Sequence, residues 1–314
     1  MTALPLRALA PAKINLGLFV GPLRADGRHE LVSVMQSISL ADELTLEAAP
    51  EGAEQDGDEV VCPGVAAPPE QNLAARALAA FREATGWEAP PLRLMIEKRI
   101  PVASGLGGGS ADAAATLRLA LSASGLGDES LLLSLASELG ADVPAQVHPG
   151  RWLASGAGEA LEALPDPVAP IGVLVLPVAH ELSTAAVYAE ADRLGALRER
   201  VFLRERRRLL HAELDLGMSL PHDLELLHND LERPARSLCH AIGEALREAR
   251  EAGAEPALVS GSGPTVVGLF PRANGLAAAK RAVAGLAGCE PAPLAVSTVG
   301  ADFAQPAGLS VRNN

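Results

Sequence analysis

Hydrophobic and polar residues alternate from Lys13 to Leu18, near the start of the chain. Side chains alternate between the two faces of a strand, so Ile14, Leu16 and Leu18 share one face. Lys13 and Asn15 then share the other face. The pattern predicts a half-buried strand that presents two polar side chains on the same side.

Hydrophobic runs in the rest of the chain predict strands and helices that intermingle in both halves. We expect further strands at 32–40, 43–47, 92–96, 172–176, 257–259, 265–270 and 294–299. We expect helices at about 72–85, 111–122, 130–139, 191–211, 235–252 and 273–286. An Asp-Gly turn at 24–28 and an acidic, solvated loop at 50–59 complete the pattern. Such intermingling is typical of the α+β class.

The composition changes at the proline-containing stretch 164–167. The 314 residues suffice for one large domain or two of ordinary size. We therefore expect an N-terminal domain at 1–164 and a C-terminal domain at 165–314. Hydrophobic residues make up 48% of the chain and aromatic residues only 3%, so the cores should be aliphatic.

The net charge of −13 narrows the classes of function. Non-specific binding of nucleic acid needs a basic surface, so we expect no nucleic-acid partner. An anionic substrate would receive no long-range attraction from this charge. A phosphate site must therefore rest on local dipoles and a few cations.

Cys62, Cys239 and Cys289 show no C-x-x-C spacing, and their odd number fits no closed disulfide framework. Reduced thiols in the cytoplasm are the simplest interpretation. The chain starts without a signal-peptide pattern, and no apolar run reaches the ~20 residues that span a bilayer. We expect a soluble protein with no membrane partner. The seven histidines form no metal-binding pattern and no G-x-S-x-G elbow occurs, so neither a metal site nor a hydrolase is indicated.

The most informative stretch is rich in glycine and precedes an Ala/Leu-rich helix pattern. Glycine lets backbone amides approach a ligand closely. We expect Ser110 to cap the following helix, whose N-terminus can hold a phosphate. The stretch lacks the lysine of a Walker A loop and the G-x-G-x-x-G spacing of dinucleotide sites. Its residues are Pro101, Val102, Ala103, Ser104, Gly105, Leu106, Gly107, Gly108, Gly109, Ser110 and Ala111.

Three motifs in order make the chain resemble the GHMP kinase superfamily. They are Pro-Ala-Lys-Ile-Asn-Leu at 11–16, the glycine-rich stretch at 101–111, and Ser-Gly-Ser-Gly-Pro-Thr at 260–265. The triple glycine, Arg-Ala-Asp-Gly at 24–27 with His-Glu-Leu at 29–31, and Leu-Gly-Ala-Asp-Val-Pro at 139–144 are typical of one branch. Members of that branch phosphorylate the 2-hydroxyl of diphosphocytidyl-methylerythritol in non-mevalonate isoprenoid synthesis.

The resemblance implies a ribosomal-S5-like N-terminal domain and a ferredoxin-like C-terminal domain, with the active site between them. It implies ATP, accompanied by Mg²⁺, as the phosphoryl donor. The acceptor would be the small molecule diphosphocytidyl-methylerythritol. A homodimer is left open as the oligomeric state.

The same resemblance assigns roles to individual residues. Asp142, between Gly140 and Pro144, would be the acid/base that orients the attacking hydroxyl. We expect it on a stiff loop, because a proline disfavours helix at the residue before it. Lys13 would stabilise the developing charge. Asn72 and Lys98 match positions near the ATP adenine. Substrate contacts would come from Asn15, Arg28, His29, Thr184, Tyr188, Gly261, Ser262 and Gly263.

The expected cytidine site departs from the family in one place. His29 would read the cytosine edge through both ring nitrogens. Arg28 stands where the family usually has a tyrosine that stacks on the base, and a guanidinium plane can also stack. Tyr188, the single tyrosine, would stack on the other face of the base.

The sequence leaves two other functional hypotheses open. One is a sister GHMP kinase that acts on homoserine, mevalonate or a sugar. The other is a catalytically silent protein of this fold that senses ATP and a small ligand. Retention of both Lys13 and Asp142 argues against a silent sensor. The Arg-rich stretch 198–208 interleaves glutamate and is most simply a solvated helix face.

Overall fold

The structure, a computed structural model, describes residues 4–50, 57–65 and 68–308. It contains two mainly antiparallel sheets with helices packed on them, so the predicted α+β class is confirmed. The first half of the chain forms a seven-stranded sheet, apart from one short strand at 307–308, and the second half forms a four-stranded sheet. Within the described ranges, no helix has both the length and the apolar character needed to cross a membrane.

A long antiparallel hairpin, β1 (Leu6–Leu23) and β2 (His29–Ala48), forms the centre of the first sheet. The predicted turn joins these strands, and Gly27 adopts the expected left-handed conformation with φ of 78°. Two predictions at 32–40 and 43–47 were too short, because β2 runs through both. The half-buried strand was also wrong in one respect, since β1 is buried on both faces around Lys13.

Five shorter strands complete this sheet. They are β3 (Glu59–Val61), β4 (Leu92–Glu97), β5 (Arg151–Ser155), β6 (Ala160–Leu164) and β11 (Ala307–Gly308). The last of them brings the end of the described chain back to β1. Most of the predicted acidic loop, 51–56, lies outside the described residues. At its end, Asp58 forms an ion pair with Arg82 at 2.6 Å rather than facing open solvent.

Four helices accompany the first sheet: α1 (Leu73–Thr85), α2 (Gly108–Ser124), α3 (Glu129–Leu139) and α4 (Val143–Val147). Helix α2 packs on β1 and β2, and the other three pack against α2. The first three confirm the predicted helices, and Gly140 ends α3 as expected. Ser110 is not the cap of α2, because the helix begins two residues earlier, at Gly108, and Gly107 occupies the N-cap. The prediction of no helix at Val143 was wrong, since Pro144 lies in the first turn of α4, where proline is tolerated.

The second sheet has the order β10-β7-β9-β8, which is the antiparallel ferredoxin-like order. Its strands are β7 (Gly172–Leu176), β8 (Ala257–Val259), β9 (Val266–Phe270) and β10 (Leu294–Ser297). Its helices are α5 (Thr184–Leu194), α6 (Arg200–Leu214), α7 (Glu232–Leu238), α8 (Ala241–Glu251) and α9 (Gly275–Gly285). The single helices predicted at 191–211 and 235–252 are each interrupted, at Gly195 and at Cys239–His240 respectively.

Aliphatic side chains from both sheets share one hydrophobic core. Ile14 and Val34 of the hairpin pack in the same cluster as Val173, Val267 and Leu210. The strands of the first sheet that precede β7 end at Leu164, and β7 begins at Gly172. This change of sheet supports a boundary near 164, which stays a prediction. Because the core is continuous, the facing edges of the two halves are held together, and the candidate site lies there.

Candidate functional site

Most of the predicted site residues, from both halves of the chain, line one cavity of about 660 Å³. Five of them are not among its lining residues in the described part of the chain: Arg28, His29, Leu106, Ala111 and Gly263. Its walls include the glycine-rich stretch, Asn72, Lys98, Lys13, Asn15, Asp142, Thr184, Tyr188, Gly261 and Ser262. Two larger clefts, of about 980 and 960 Å³, are formed by the second half of the chain and contain none of these residues. The smaller cavity is the one that brings together residues of the motifs at 11–16, 101–111, 139–144 and 260–265.

Lys13 and Asp142 meet at the centre of this cavity. The Lys13 Nζ lies 3.4 Å from Asp142 Oδ2 and donates a hydrogen bond of 2.9 Å to Asn15 Oδ1. Asn15 in turn donates to Ser33 Oγ at 2.7 Å. The ammonium group is therefore held by its neighbours on the hairpin, while Asp142 keeps two fifths of its side chain exposed. A fixed cation beside a free carboxylate can orient a hydroxyl and neutralise charge that develops on it.

The glycine-rich loop is built against Lys13 by its backbone. Leu106 accepts a hydrogen bond of 2.9 Å from the Lys13 N–H. Gly105 and Gly107 have φ of 77° and 72°, a conformation that favours glycine. The first turn of α2 follows at once, so its backbone N–H groups, which lack intrahelical acceptors, open toward the cavity. This arrangement suits a phosphate group, as the sequence predicts.

The second glycine loop, 260–265, packs directly on the first. A Cβ at Gly105 would collide with the carbonyl oxygen of Ser260 and lie 2.8 Å from that of Gly263. A Cβ at Gly261 would lie 3.4 Å from Asn15 Oδ1. Glycines here allow two backbone segments from opposite halves of the chain to touch. Thr184 joins the loop through a 3.0 Å hydrogen bond between its Oγ1 and Ser262 Oγ.

Asn72 and Lys98 both line the cavity, but each already has partners in the protein. Asn72 caps α1, and its side chain accepts a hydrogen bond of 2.9 Å from the Ala74 N–H. Lys98 forms an ion pair with Asp42 and another, at 2.7 Å, with Asp112. Their proximity to an adenine stays a prediction.

Two buried carboxylates of this group were missed at the sequence level. Asp42 lies within β2 and accepts hydrogen bonds from the backbone N–H groups of Arg99 and Ile100 at 2.6 and 2.8 Å. Asp112 lies on α2, where burial raises its pKa to about 7 despite the opposing effect of Lys98. For Asp112, the signal that the sequence offered was an acidic residue inside an Ala-rich helix pattern.

The predicted base-binding residues lie together at the other end. The rings of His29 and Tyr188 stack with centroids 5.1 Å apart. Burial and the nearby Asp142 charge raise the pKa of Tyr188 to about 12, so its hydroxyl stays protonated. His29 Nε2 lies 3.1 Å from Asp192 Oδ1. Use of both ring nitrogens on a base therefore does not fit, because one of them is already bonded.

Arg28 points to a different environment from that of His29. Half of its side chain is exposed, and it pairs with Asp26 at 3.2 Å in the turn. It is not among the described residues that line the cavity. Stacking of Arg28 on a base stays a prediction, and the structure as it stands places the guanidinium outside the pocket wall.

Asn229 is a further residue that sequence reasoning missed. Its buried side chain donates to the carbonyl oxygens of Val259 and Gly261 at 2.8 and 2.7 Å. It also accepts from the Leu231 N–H at 2.8 Å. Asn229 thus ties the second glycine loop to the start of α7. An asparagine bonded to the backbone two residues on is a recognisable local pattern, but its long-range partners leave no trace in the sequence.

Comparisons with known proteins agree with this geometry. The GHMP kinases N terminal domain matches residues 72–150, and the GHMP kinases C terminal domain matches residues 207–287. A 4-diphosphocytidyl-2-C-methyl-D-erythritol kinase of Anaeromyxobacter dehalogenans is 40% identical over 294 residues, covering 90% of this chain and 88% of its own. One of Mycolicibacterium gilvum is 42% identical over 262 residues, covering 81% and 79%.

Solved structures give the same picture. A crystal structure of 4-(cytidine 5'-diphospho)-2C-methyl-D-erythritol kinase is 33% identical, with a TM-score of 0.74, and covers 94% of this chain and 99% of its own. A homoserine kinase from Cytophaga hutchinsonii is 17% identical, with a TM-score of 0.70 over 98% and 99% of the two chains, and shares the fold alone. The predicted family and its two-domain fold are confirmed: the chain belongs to the GHMP kinases.

Proposed function

We propose that the chain is an ATP-dependent kinase that phosphorylates the 2-hydroxyl of 4-diphosphocytidyl-2-C-methyl-D-erythritol, a step of non-mevalonate isoprenoid precursor synthesis. Relatives of about this length with 40% and 42% identity carry that name. The observation that carries the chemical part is the pairing of Lys13 with Asp142 at 3.4 Å beside the glycine-rich loop. A protein that only senses ligands needs no such pair.

Phosphoryl transfer needs mainly positioning and neutralisation of charge. In the proposed mechanism the loop 101–111 and the first turn of α2 bind the ATP phosphates. Asp142 orients the attacking hydroxyl and accepts its proton. Lys13 stabilises the negative charge on the attacking oxygen and the transferred group, and its bond to Asn15 keeps it in place.

The proposed function also includes a magnesium ion and a cytoplasmic location. Mg²⁺ prefers oxygen ligands and binds through one or two carboxylates together with substrate phosphates. Mg²⁺ would enter the cavity on the phosphate oxygens of ATP, whereas the partly exposed Asp142 carboxylate, which makes no helix-capping hydrogen bond, is left for the attacking hydroxyl. Bound with ATP, the ion would neutralise phosphate charge. The free thiols Cys62, Cys239 and Cys289 are consistent with a cytoplasmic enzyme.

The test of the acceptor measures ADP release from Mg-ATP with four candidates in parallel: diphosphocytidyl-methylerythritol, homoserine, mevalonate and galactose. We expect turnover with the first alone. Turnover with another acceptor would indicate a sister kinase of the same family. Nucleotide binding without any ADP release would indicate a silent sensor.

The test of the chemistry replaces Asp142 by asparagine. Loss of an acid/base group typically lowers the rate about 10²–10⁴-fold, so kcat should fall in that range while the affinity for ATP changes little. Asp128→Asn, a substitution of an N-cap residue of α3 remote from the cavity, is the matched control. Full activity of Asp142→Asn would remove this carboxylate from the mechanism.

A further inference from the structure

Asp192 holds one edge of the His29 ring. His29 Nε2 and Asp192 Oδ1 are 3.1 Å apart, and the imidazole is 7% exposed. Asp192 lies four residues after Tyr188 on α5, so both side chains lie on one face of that helix. The same helix face therefore supplies the ring that stacks on His29 and the carboxylate that bonds it.

The second nitrogen of His29 is left available. In the described part of the chain, Nδ1 has no hydrogen-bond partner, and it is not among the enclosed polar atoms that lack one. It therefore keeps access to solvent in a ring that is otherwise buried. His29 is not itself among the lining residues of the described chain, but it stacks directly on Tyr188, which is one of them. A base that binds beside Tyr188 would therefore reach His29 at its unbonded nitrogen, Nδ1.

An ionised carboxylate can only accept hydrogen bonds. A neutral imidazole bonded to it must carry its proton on Nε2, which leaves a lone pair on Nδ1. That nitrogen can accept from the 4-amino group of a cytosine. A uracil presents a carbonyl oxygen at this position, and two acceptors facing one another are unfavourable.

We propose that Asp192 is a positioning residue that fixes the tautomer of His29 and thereby selects a cytosine over a uracil in the acceptor substrate. This inference rests on the proposed function, since it deepens the recognition of the same substrate. It adds a residue on α5 and a direction of hydrogen bonding that the motifs around His29 do not contain. The selection depends on which ring nitrogen of His29 carries the proton, and not on the shape of the pocket.

The direct test determines which ring nitrogen of His29 carries the proton. It uses nitrogen-15 NMR of the histidine rings in the intact protein at about pH 8, where unperturbed imidazoles are neutral. Assignment uses the spectrum of His29→Gln. We expect the Nε2–H tautomer in the wild-type protein and a mixture in Asp192→Asn and Asp192→Ala. A wild-type Nδ1–H tautomer would overturn the proposal. The spectrum does not depend on turnover, so its outcome is separate from that of the proposed function.

The second test compares binding of cytidine diphosphate and uridine diphosphate by calorimetry. The wild-type protein should prefer the cytidine compound about tenfold or more, equivalent to one hydrogen bond. The preference should fall to within about threefold in Asp192→Asn and Asp192→Ala, with unchanged affinity for ATP. Glu190→Gln is the matched control, because this α5 carboxylate bonds Arg193 and Ser237 instead. An unchanged preference in both Asp192 variants, or a wild-type preference for uridine, would contradict the role of Asp192.

Discussion

The two ends of the cavity are constructed in opposite ways. At the end proposed to bind the ATP phosphates, the phosphate end, eleven consecutive residues, 101–111, supply a backbone cradle and a helix N-terminus. At the end proposed to bind the cytosine, the base end, the side chains of His29, Tyr188 and Asp192 come from a strand and a helix, and the hydrogen-bonded pair lies 163 positions apart in the chain. One end depends on backbone conformation, and the other depends on how two halves of the chain pack.

The difference determines what each end tolerates. A backbone cradle is sensitive to any added atom where two loops touch, but it accepts changes in exposed side chains. An end made of side chains is sensitive to the chemistry of each group, and its backbone is ordinary strand and helix. Substitutions at the two ends should therefore impair different steps.

Among substitutions that compare the two ends, the largest effect is expected from Gly105→Ala. A Cβ there would collide with the Ser260 carbonyl, and φ of 77° is unfavourable for alanine. Displacement of the loop by about 1 Å should lower kcat/KM about 10²-fold, measured by ADP release. Gly86→Ala is the control, because Gly86 has φ of 63° but open space around it. Equal kinetic losses in both variants would show that strain, and not contact between the loops, is responsible.

Tyr188→Ala should act at the base end alone. Stacking of an aromatic ring on a base contributes about 1–3 kcal/mol, so the KM for the acceptor should rise about tenfold or more. The KM for ATP should be unchanged, since the phosphate end keeps its backbone. Tyr188→Phe retains the ring and should restore most of the affinity. A parallel rise in the KM for ATP would break the separation between the two ends.

Asp112→Asn should change how stability depends on pH. Burial raises the pKa of Asp112 to about 7, so the folded protein holds this proton more tightly than the unfolded chain. Its contribution is present at low pH and is lost between about pH 4 and 7. The free energy of unfolding of Asp112→Asn, relative to wild type, should therefore rise across that range by roughly 1 kcal/mol or more. Urea unfolding at intervals of pH measures it, and a constant difference would contradict the assignment.

The smallest effect is expected from Arg28→Tyr. Arg28 is half exposed and bonded to Asp26, so its loss removes only a surface ion pair, worth about 0–1 kcal/mol. The affinity for the cytidine substrate should stay within about threefold or improve, since a tyrosine offers the stacking ring usual in the family. A large loss of affinity would show that Arg28 swings into the pocket and contacts the substrate itself.

Local sequence signals predicted local structure well. Helices α1, α2 and α3 and strand β4 follow periodicity, and their ends follow Asn72, Gly107 or Gly140. The errors also have local causes. The cap predicted at Ser110 is wrong, because the glycines before it obscure where α2 begins. The break predicted at Pro144 is wrong, because the backbone N–H that a proline lacks is not needed in the first turn of a helix.

Long-range partners could not be predicted in the same way. Asp42 looks like a polar residue in a strand, yet it neutralises Lys98 and holds the backbone at Arg99 and Ile100. Asn229 looks like a loop residue, yet it bonds two carbonyl oxygens some 30 positions away. Many unrelated residues share the residue type and the adjacent sequence of Asp42 or Asn229. Neither feature therefore reveals the long-range partner.

The family, a glycine-rich loop suited to phosphate, and Lys13 and Asp142 as candidate catalytic residues could all be predicted from the amino-acid sequence, because each lies in a short motif of contiguous residues. Only the tertiary structure decided that Lys13 and Asp142 approach to 3.4 Å, that the two glycine loops touch, and that Asp192 occupies one nitrogen of His29. The physical reason is the same in each case. Hydrogen bonds and ion pairs act over a few ångströms, and packing of the two sheets on a shared core brings those atoms within range.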